Sequence, residues 1–293
     1  MIDVPFSTET AARGAKAVAA FSAAMTWLPA FARTIRRVHI ESDNPTSFEC
    51  AFSPLLEASA IDVVSVSGPN RERAKALRFD LSDGYSLLLR IDAHGPCTFP
   101  GELRRLWNLA PLEEDLRSAW LINGPFAVDP GRTGLAGSIV DRQEQFRKLG
   151  RKLGERLLEL HDLANADWSL FAKSLDLQDL ARKDFWSRLF NVLGSDFDDD
   201  LARHLHVDRH GYGHLAGEHR VVPTRLPSPF DGLVRVPEAN YYTVGALADP
   251  AMLAKVGHWP TLMALQNRIV ACEINEQLKK LGFSNAQPLD PAL

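Results

Sequence analysis

Apolar positions along the chain change their period twice, and each change predicts a change of architecture. Residues 9–27 are alanine-rich, and Ala17, Phe21, Ala24 and Leu28 recur at helical spacing. A helix is predicted there, with Thr8 as N-cap and Pro29 as its stop. From Thr34 the pattern shortens to strand-like runs. Ile35 to Ile40 alternates, Phe48, Cys50 and Phe52 share one face, and Ile61 to Val66 is dense in β-branched residues. Leu77 to Leu81 and Tyr85 to Ile91 flank Ser82-Asp83-Gly84, which reads as a hairpin. Ser53 to Glu57 reads as a short crossover helix with proline in its first turn. Pro100 to Leu106 reads as one or two helical turns, and Ala119 to Val128 as a strand pair broken at Asn123-Gly124-Pro125.

The helical period returns at Asp141. Asp141 and Glu144 make a capping signature, and Phe146, Leu149, Leu153, Leu157 and Leu160 repeat at three and four. Arg142, Arg147, Lys148, Arg151 and Lys152 read as its solvated back. Beyond Asp162 the apolar positions are aromatic as well as aliphatic. Trp168, Phe171, Phe185, Trp186 and Phe190 stand at helical spacing and read as core rather than as stacking platforms for bases. Gly194 and the acidic run Asp196 to Asp200 precede a short helix at Leu201 to Val207. A Pro-rich extended stretch and helices near Asp249 to Val256 and Asn267 to Leu281 finish the chain. The predicted fold is α/β: a mixed sheet with crossover helices, followed by a mainly helical segment. The segments are 1–33, 34–164, 165–222 and 223–293.

Composition narrows the classes. A chain of 293 residues carries a formal net charge of −4 with both signs interspersed, so charge does not indicate a nucleic-acid partner. Cys50, Cys97 and Cys272 lie far apart and are odd in number, which points to reduced thiols and a cytoplasmic setting. The apolar run from Ala17 to Phe31 follows Asp3 and Glu9, is too short to span a membrane and contains Pro29. It is therefore expected to dock rather than to anchor or to serve as a leader.

The chemically loaded stretch is Leu121 to Arg132, read Leu-Ile-Asn-Gly-Pro-Phe-Ala-Val-Asp-Pro-Gly-Arg. A guanidinium on a Pro-Gly turn suits a phosphate, because its donors match phosphate oxygens in pairs. The competing reading is an ion pair of Arg132 with Asp129 or Asp141 that only holds the turn. With the basic, leucine-rich helix that follows, the stretch resembles the middle domain of GHKL ATPases, the heat-shock-ninety chaperones and sacsin-like proteins. Pro223-Thr-Arg-Leu-Pro227 and Gly257-His-Trp-Pro260 extend the likeness to the sacsin-like members. The resemblance implies that Arg132 contacts the γ-phosphate of ATP, that Asn123 and Asp129 shape its turn, and that Mg2+ accompanies the nucleotide. The family's ATP-binding half supplies a helix with Glu and Asn four apart, an Asp-x-Gly-x-Gly segment and a Gly-rich lid. None of these occurs here, so the partner implied is an ATP-binding GHKL domain in cis or in trans, and the protein client is not indicated.

A second constellation is His204, His206, Asp208, His210, His214 and His219, with Glu218 beside the last. A zinc site would draw on His204, His206, His210 and His214, but the spacing matches no zinc motif. Gly211-Tyr212-Gly213 within it reads as a flexible, solvated loop. The alternative function is thus a non-enzymatic interaction module with an optional zinc site at 204–219. A metal-dependent hydrolase would need both zinc and a base such as Glu218. No G-x-S-x-G, Walker or dinucleotide motif is present.

Overall fold

The computed structural model describes residues 23–32, 34–41, 46–57, 59–68, 73–108, 110–131, 134–223, 233–235, 240–241, 269–270, 272–283 and 287–288. The chain forms two compact units, the first of Met1–Ile91, Thr98–Asp115 and Trp120–Ala136, the second of Asp92–Cys97, Leu116–Ala119 and Gly137–Leu293. The fold is α/β with a mixed sheet, as the two periods in the sequence predict.

In the first unit, β1 (Arg37–Ile40), β2 (Thr46–Pro54), β3 (Ile61–Ser67), β4 (Arg73–Asp80) and β5 (Ser86–Asp92) form an antiparallel meander. After β6 (Gly95–Pro96), which lies in the second unit, come β7 (Arg105–Asn108), β8 (Ala110–Asp115) and β9 (Trp120–Asn123). β9 inserts between β5 and β7, antiparallel to the first and parallel to the second, and β8 closes that edge. The β4–β5 hairpin turns through Asp83 and Gly84 with φ of 63° and 80°, two successive left-handed residues whose twist matches the flanking strands.

No crossover helix forms at Ser53 to Glu57. Ser53 and Pro54 stay in β2, and the Leu55 N–H donates to the Ile61 carbonyl at 2.8 Å, which folds the segment into a turn leading to β3. Pro100 to Leu106 likewise contains only a 3-10 turn, Gly101–Leu103, before β7 takes over. In both places pairing with a neighbouring strand satisfies the backbone that a lone helical turn would leave open.

A helix over residues 23–31 (α1) lies on one sheet face, burying Ala24, Trp27, Ala30 and Phe31 against Cys50, Val64, Val66, Ala76, Leu88, Trp107 and Leu121. Trp27 meets Phe99 edge-on at 5.0 Å and Phe31 meets Trp107 at 5.1 Å. Each such side chain stabilises by roughly 2–3 kcal/mol. Pro29 does not stop this helix. It removes one donor near the end, while burial of Ala30 and Phe31 carries the last turn to an Ala32 N–H to Leu28 carbonyl bond. The predicted beginning of this helix, from Thr8, lies outside the described residues. The opposite sheet face is also buried, through Ile61, Val63, Leu77, Phe79, Leu87, Leu89, Trp120 and Ile122. Burial on both faces explains the apolar runs Leu87 to Leu89 in β5 and Trp120 to Ile122 in β9.

The second unit is built on α2 (Ile139–Ala166), which buries the predicted Phe146, Leu149, Leu153, Leu157 and Leu160. Its capping box pairs Ser138 with Asp141, one turn earlier than the Asp141–Glu144 signature. Glu144 instead faces Arg147 and Arg151 at 3.6 and 3.4 Å. Next come α3 (Trp168–Ser174), α4 (Arg182–Asp198), a 3-10 turn at Ala202–Leu205, α5 (Gly211–Glu218) and α6 (Cys272–Lys280). Phe171, Phe185, Trp186 and Phe190 pack as core, together with Phe197. Gly194 does not end α4, which continues to Asp198. Gln277 of α6 comes within 3.0 Å of where a Cβ would stand, so this glycine makes room for a neighbouring helix. Short strands complete the chain. Val222–Pro223 pairs with Leu233–Val234, and Asn240–Tyr241 pairs with Ile269–Val270 and Gln287–Pro288. The helix predicted near Asp249 to Val256 lies outside the described residues. No described helix is long and apolar enough to cross a membrane.

Cys50 and Cys97 differ sharply in setting. Burial pushes the Cys50 thiol up to about 11, with Arg36 and Arg78 opposing, whereas Cys97 is half-buried. At pH 8 about one Cys50 in a thousand is thiolate. Iodoacetamide followed by peptide mass spectrometry should therefore label Cys97 well before Cys50, and denaturant should abolish the difference.

Candidate functional site

The Asp-Pro-Gly-Arg turn has a narrow hydrogen-bonded neck. Val128 and Leu135 form an antiparallel bridge, the Asp129 N–H donates to the Gly134 carbonyl at 3.0 Å, and the Ala136 N–H donates to the Ala127 carbonyl at 2.8 Å. Two side chains from neighbouring strands grip this neck. Asn108 Nδ2 donates to the Phe126 carbonyl at 2.9 Å, and Glu114 Oε2 accepts the Leu135 N–H at 2.6 Å. Arg132 and Thr133 lie outside the described residues. Only Val128 of the second predicted strand makes a bridge, because the chain folds back on itself instead of extending a sheet.

Asn123 is buried at the end of β9, opposite Ser86. Asp129 is half-buried in the neck. The corner between them depends on Gly124. A Cβ there would stand 2.0 Å from Tyr85 Cδ1, and Tyr85 is itself held edge-on against Phe126 at 5.1 Å. Nothing in the local pattern marked Asn108 or Glu114 as anchors, since each lies fifteen or more residues from the group it holds.

A buried carboxylate organises the second unit. Asp196 Oδ1 accepts the Ala119 N–H at 2.5 Å, while Oδ2 accepts Ser118 Oγ at 3.2 Å and His206 Nε2 at 3.0 Å. Burial pushes its pKa up, and His206 and the other donors oppose this. His206 Nδ1 accepts the Tyr212 N–H at 3.1 Å, which places the imidazole proton on Nε2. Serine, histidine and aspartate meet here, yet no nucleophile is made. Ser118 donates to the carboxylate rather than to the imidazole, and both His206 nitrogens are occupied.

The His-rich stretch is therefore packed, not a solvated loop. His204 and His206 are buried, and Gly211, Tyr212 and Gly213 form the buried first turn of α5. A Cβ on Gly150 of α2 would stand 2.4 Å from the Leu205 carbonyl oxygen, and one on Gly213 would stand 2.3 Å from that of His206. Gly211 adds a φ of 47°. These glycines permit backbone contact rather than flexibility. Burial is the main cause lowering the pKa of both His204 and His210, with Arg147 next for the first and Arg151 for the second. His214 packs beside Gly154, and Glu218 is exposed at the end of α5. His204, His206, His210 and His214 do not converge into a ligand set. Among the described residues, the histidine and carboxylate atoms that do converge belong to His161, Asp162 and His219, within 4.8 Å of one another.

His161, near the end of α2, is buried beside Trp186 and has its ring 3.9 Å from that of His219. Burial, then His219, lowers its pKa to about 4. Asn165 Nδ2 lies 3.0 Å from His161 Nδ1 and 2.9 Å from Nε2, and Arg182 Nη1 donates to Asn165 Oδ1 at 2.5 Å. His161 sits at an ordinary buried position in the apolar repeat of α2, so periodicity alone did not single it out.

Two substitutions probe these arrangements by chemical denaturation. Asp196→Ala strands three donors and should cost about 3 kcal/mol in the unfolding of the helical unit. Gly124→Ala should cost about 1–3 kcal/mol through the clash with Tyr85.

No family model, curated protein or solved structure matches the chain.

Proposed function

We propose that the chain is the coupling segment of a GHKL-type, sacsin-like ATPase. Arg132 would contact the γ-phosphate of ATP that a separate ATP-binding domain holds with Mg2+, in cis or in trans. The observation that supports this reading is the neck of the Asp-Pro-Gly-Arg turn, closed by backbone pairing and clamped by Asn108 and Glu114. A phosphate-sensing arginine acts by position. Its guanidinium stabilises charge that develops only in the transition state, so the backbone carrying it must be held before the nucleotide arrives. A turn that merely joined two elements would not require two side-chain clamps from other strands.

The chain alone should bind ATP too weakly for calorimetric detection, because one arginine cannot offset the entropy of association. Tight binding with hydrolysis by the isolated chain would sink the proposal. In a protein that joins the chain to its ATP-binding domain, Arg132→Ala should lower kcat about 100-fold or more while changing ATP affinity much less. Equal losses in both, or no loss, would count against it.

A further inference from the structure

The helical unit holds a second place with chemistry of its own, at the end of α2 where the C-cap residue of α5 meets it. His161 and Asp162 are adjacent on α2, and His219 caps α5. One ligand atom from each lies within 4.8 Å of the others. We infer that His161, Asp162 and His219 form a three-ligand site for a borderline divalent transition metal, Zn2+ foremost, with the fourth position left to water.

Two imidazoles and one carboxylate are the donor set of an open zinc site, and oxygen-preferring Mg2+ or Ca2+ would not choose it. Ligand atoms around a tetrahedral zinc stand about 3.3–3.5 Å apart. The His161 and His219 ring centroids stand 3.9 Å apart, closer than the about 5 Å that two imidazoles on one tetrahedral zinc keep, so binding takes a rotamer change that swings one ring outward. Asp162 is exposed and His219 half-buried, so both can adjust, while His161 supplies the fixed, buried member.

The surroundings are those of a supported ligand. Asn165 Nδ2 is nearly equidistant from the two His161 nitrogens, whose lone-pair directions diverge widely, so it can be in line with one of them at most. A neutral imidazole offers one lone-pair nitrogen, so a metal would take that nitrogen in place of the Asn165 amide, while Asp162 Oδ1 already stands 3.6 Å from His161 Nδ1. Trp186 and His161 have ring centroids 5.4 Å apart, a low-dielectric wall on one side. Arg182 is the opposing charge, and it donates to Asn165 Oδ1.

The test is zinc titration of chelator-stripped protein by calorimetry and by competition with a chromogenic chelator. Expected is one Zn2+ per chain, a Zn2+-dependent rise in melting temperature, and about tenfold or greater loss of affinity in His219→Gln and in Asp162→Asn. Both substitutions are at accessible positions, so folding can be verified by circular dichroism. His210→Gln and His214→Gln should leave the stoichiometry and affinity unchanged. Absence of binding at 100-fold metal excess would overturn the assignment. So would retained affinity in His219→Gln, or loss confined to the His210 and His214 variants.

Discussion

The Asp196 carboxylate is the interaction on which the helical unit depends. A fully buried carboxylate is tolerable only when its lone pairs are answered, and here three donors answer them: the Ala119 N–H, the Ser118 hydroxyl and His206 Nε2. Each donor carries a different piece of chain. Ser118 and Ala119 belong to the four-residue excursion that immediately precedes β9. His206 joins the 3-10 turn to α5, because its other nitrogen holds the Tyr212 N–H. One carboxyl group thus joins α4, the segment Leu116–Ala119 and the first turn of α5.

From Ala119 the covalent path runs through β9 to Gly124 and on to the neck of the Asp-Pro-Gly-Arg turn. Every step on that path is constrained by a near neighbour rather than by propensity. Gly124 is required because Tyr85 leaves no room for a Cβ, and the neck is held by Asn108 and Glu114. The chain then leaves through Ser138 and Asp141, whose capping box starts α2 cleanly. A neck clamped by side chains of two strands is suited to presenting a group at a set position, which is the physical content of the proposed coupling role.

The histidines divide by environment instead of by spacing. His206 is consumed by two hydrogen bonds, and His204 is buried with its pKa lowered by desolvation. His161, on α2 and well before that run in sequence, is the one brought to a second imidazole, that of His219, and to a carboxylate. Sequence proximity suggested one cluster and packing produced another, because an imidazole finds its partners through the helix faces that carry it.

The amino-acid pattern alone determined the strand and helix periods, the left-handed turn at Asp83 and Gly84, the apolar stripe of α2 and the aromatic core beyond it. Those features rest on local stereochemistry and on which face must leave water, both written into neighbouring residues. Tertiary structure alone decided that Pro29 would be carried within α1, that Ser53 to Glu57 would turn rather than coil, and that the glycines at 150, 211 and 213 would serve contact. It also decided that Asp196, in an acidic run read only as a break before a short helix, would be buried. Partners far away in sequence set three of these outcomes, the sheet under Phe31, the Leu205 carbonyl against Gly150 and the donors at Ser118 and Ala119, while Leu55, Gly211 and Gly213 meet Ile61, Leu205 and His206 through the closing of short loops. No local pattern holds that information, because the free energy that overrides propensity arises only when distant segments pack.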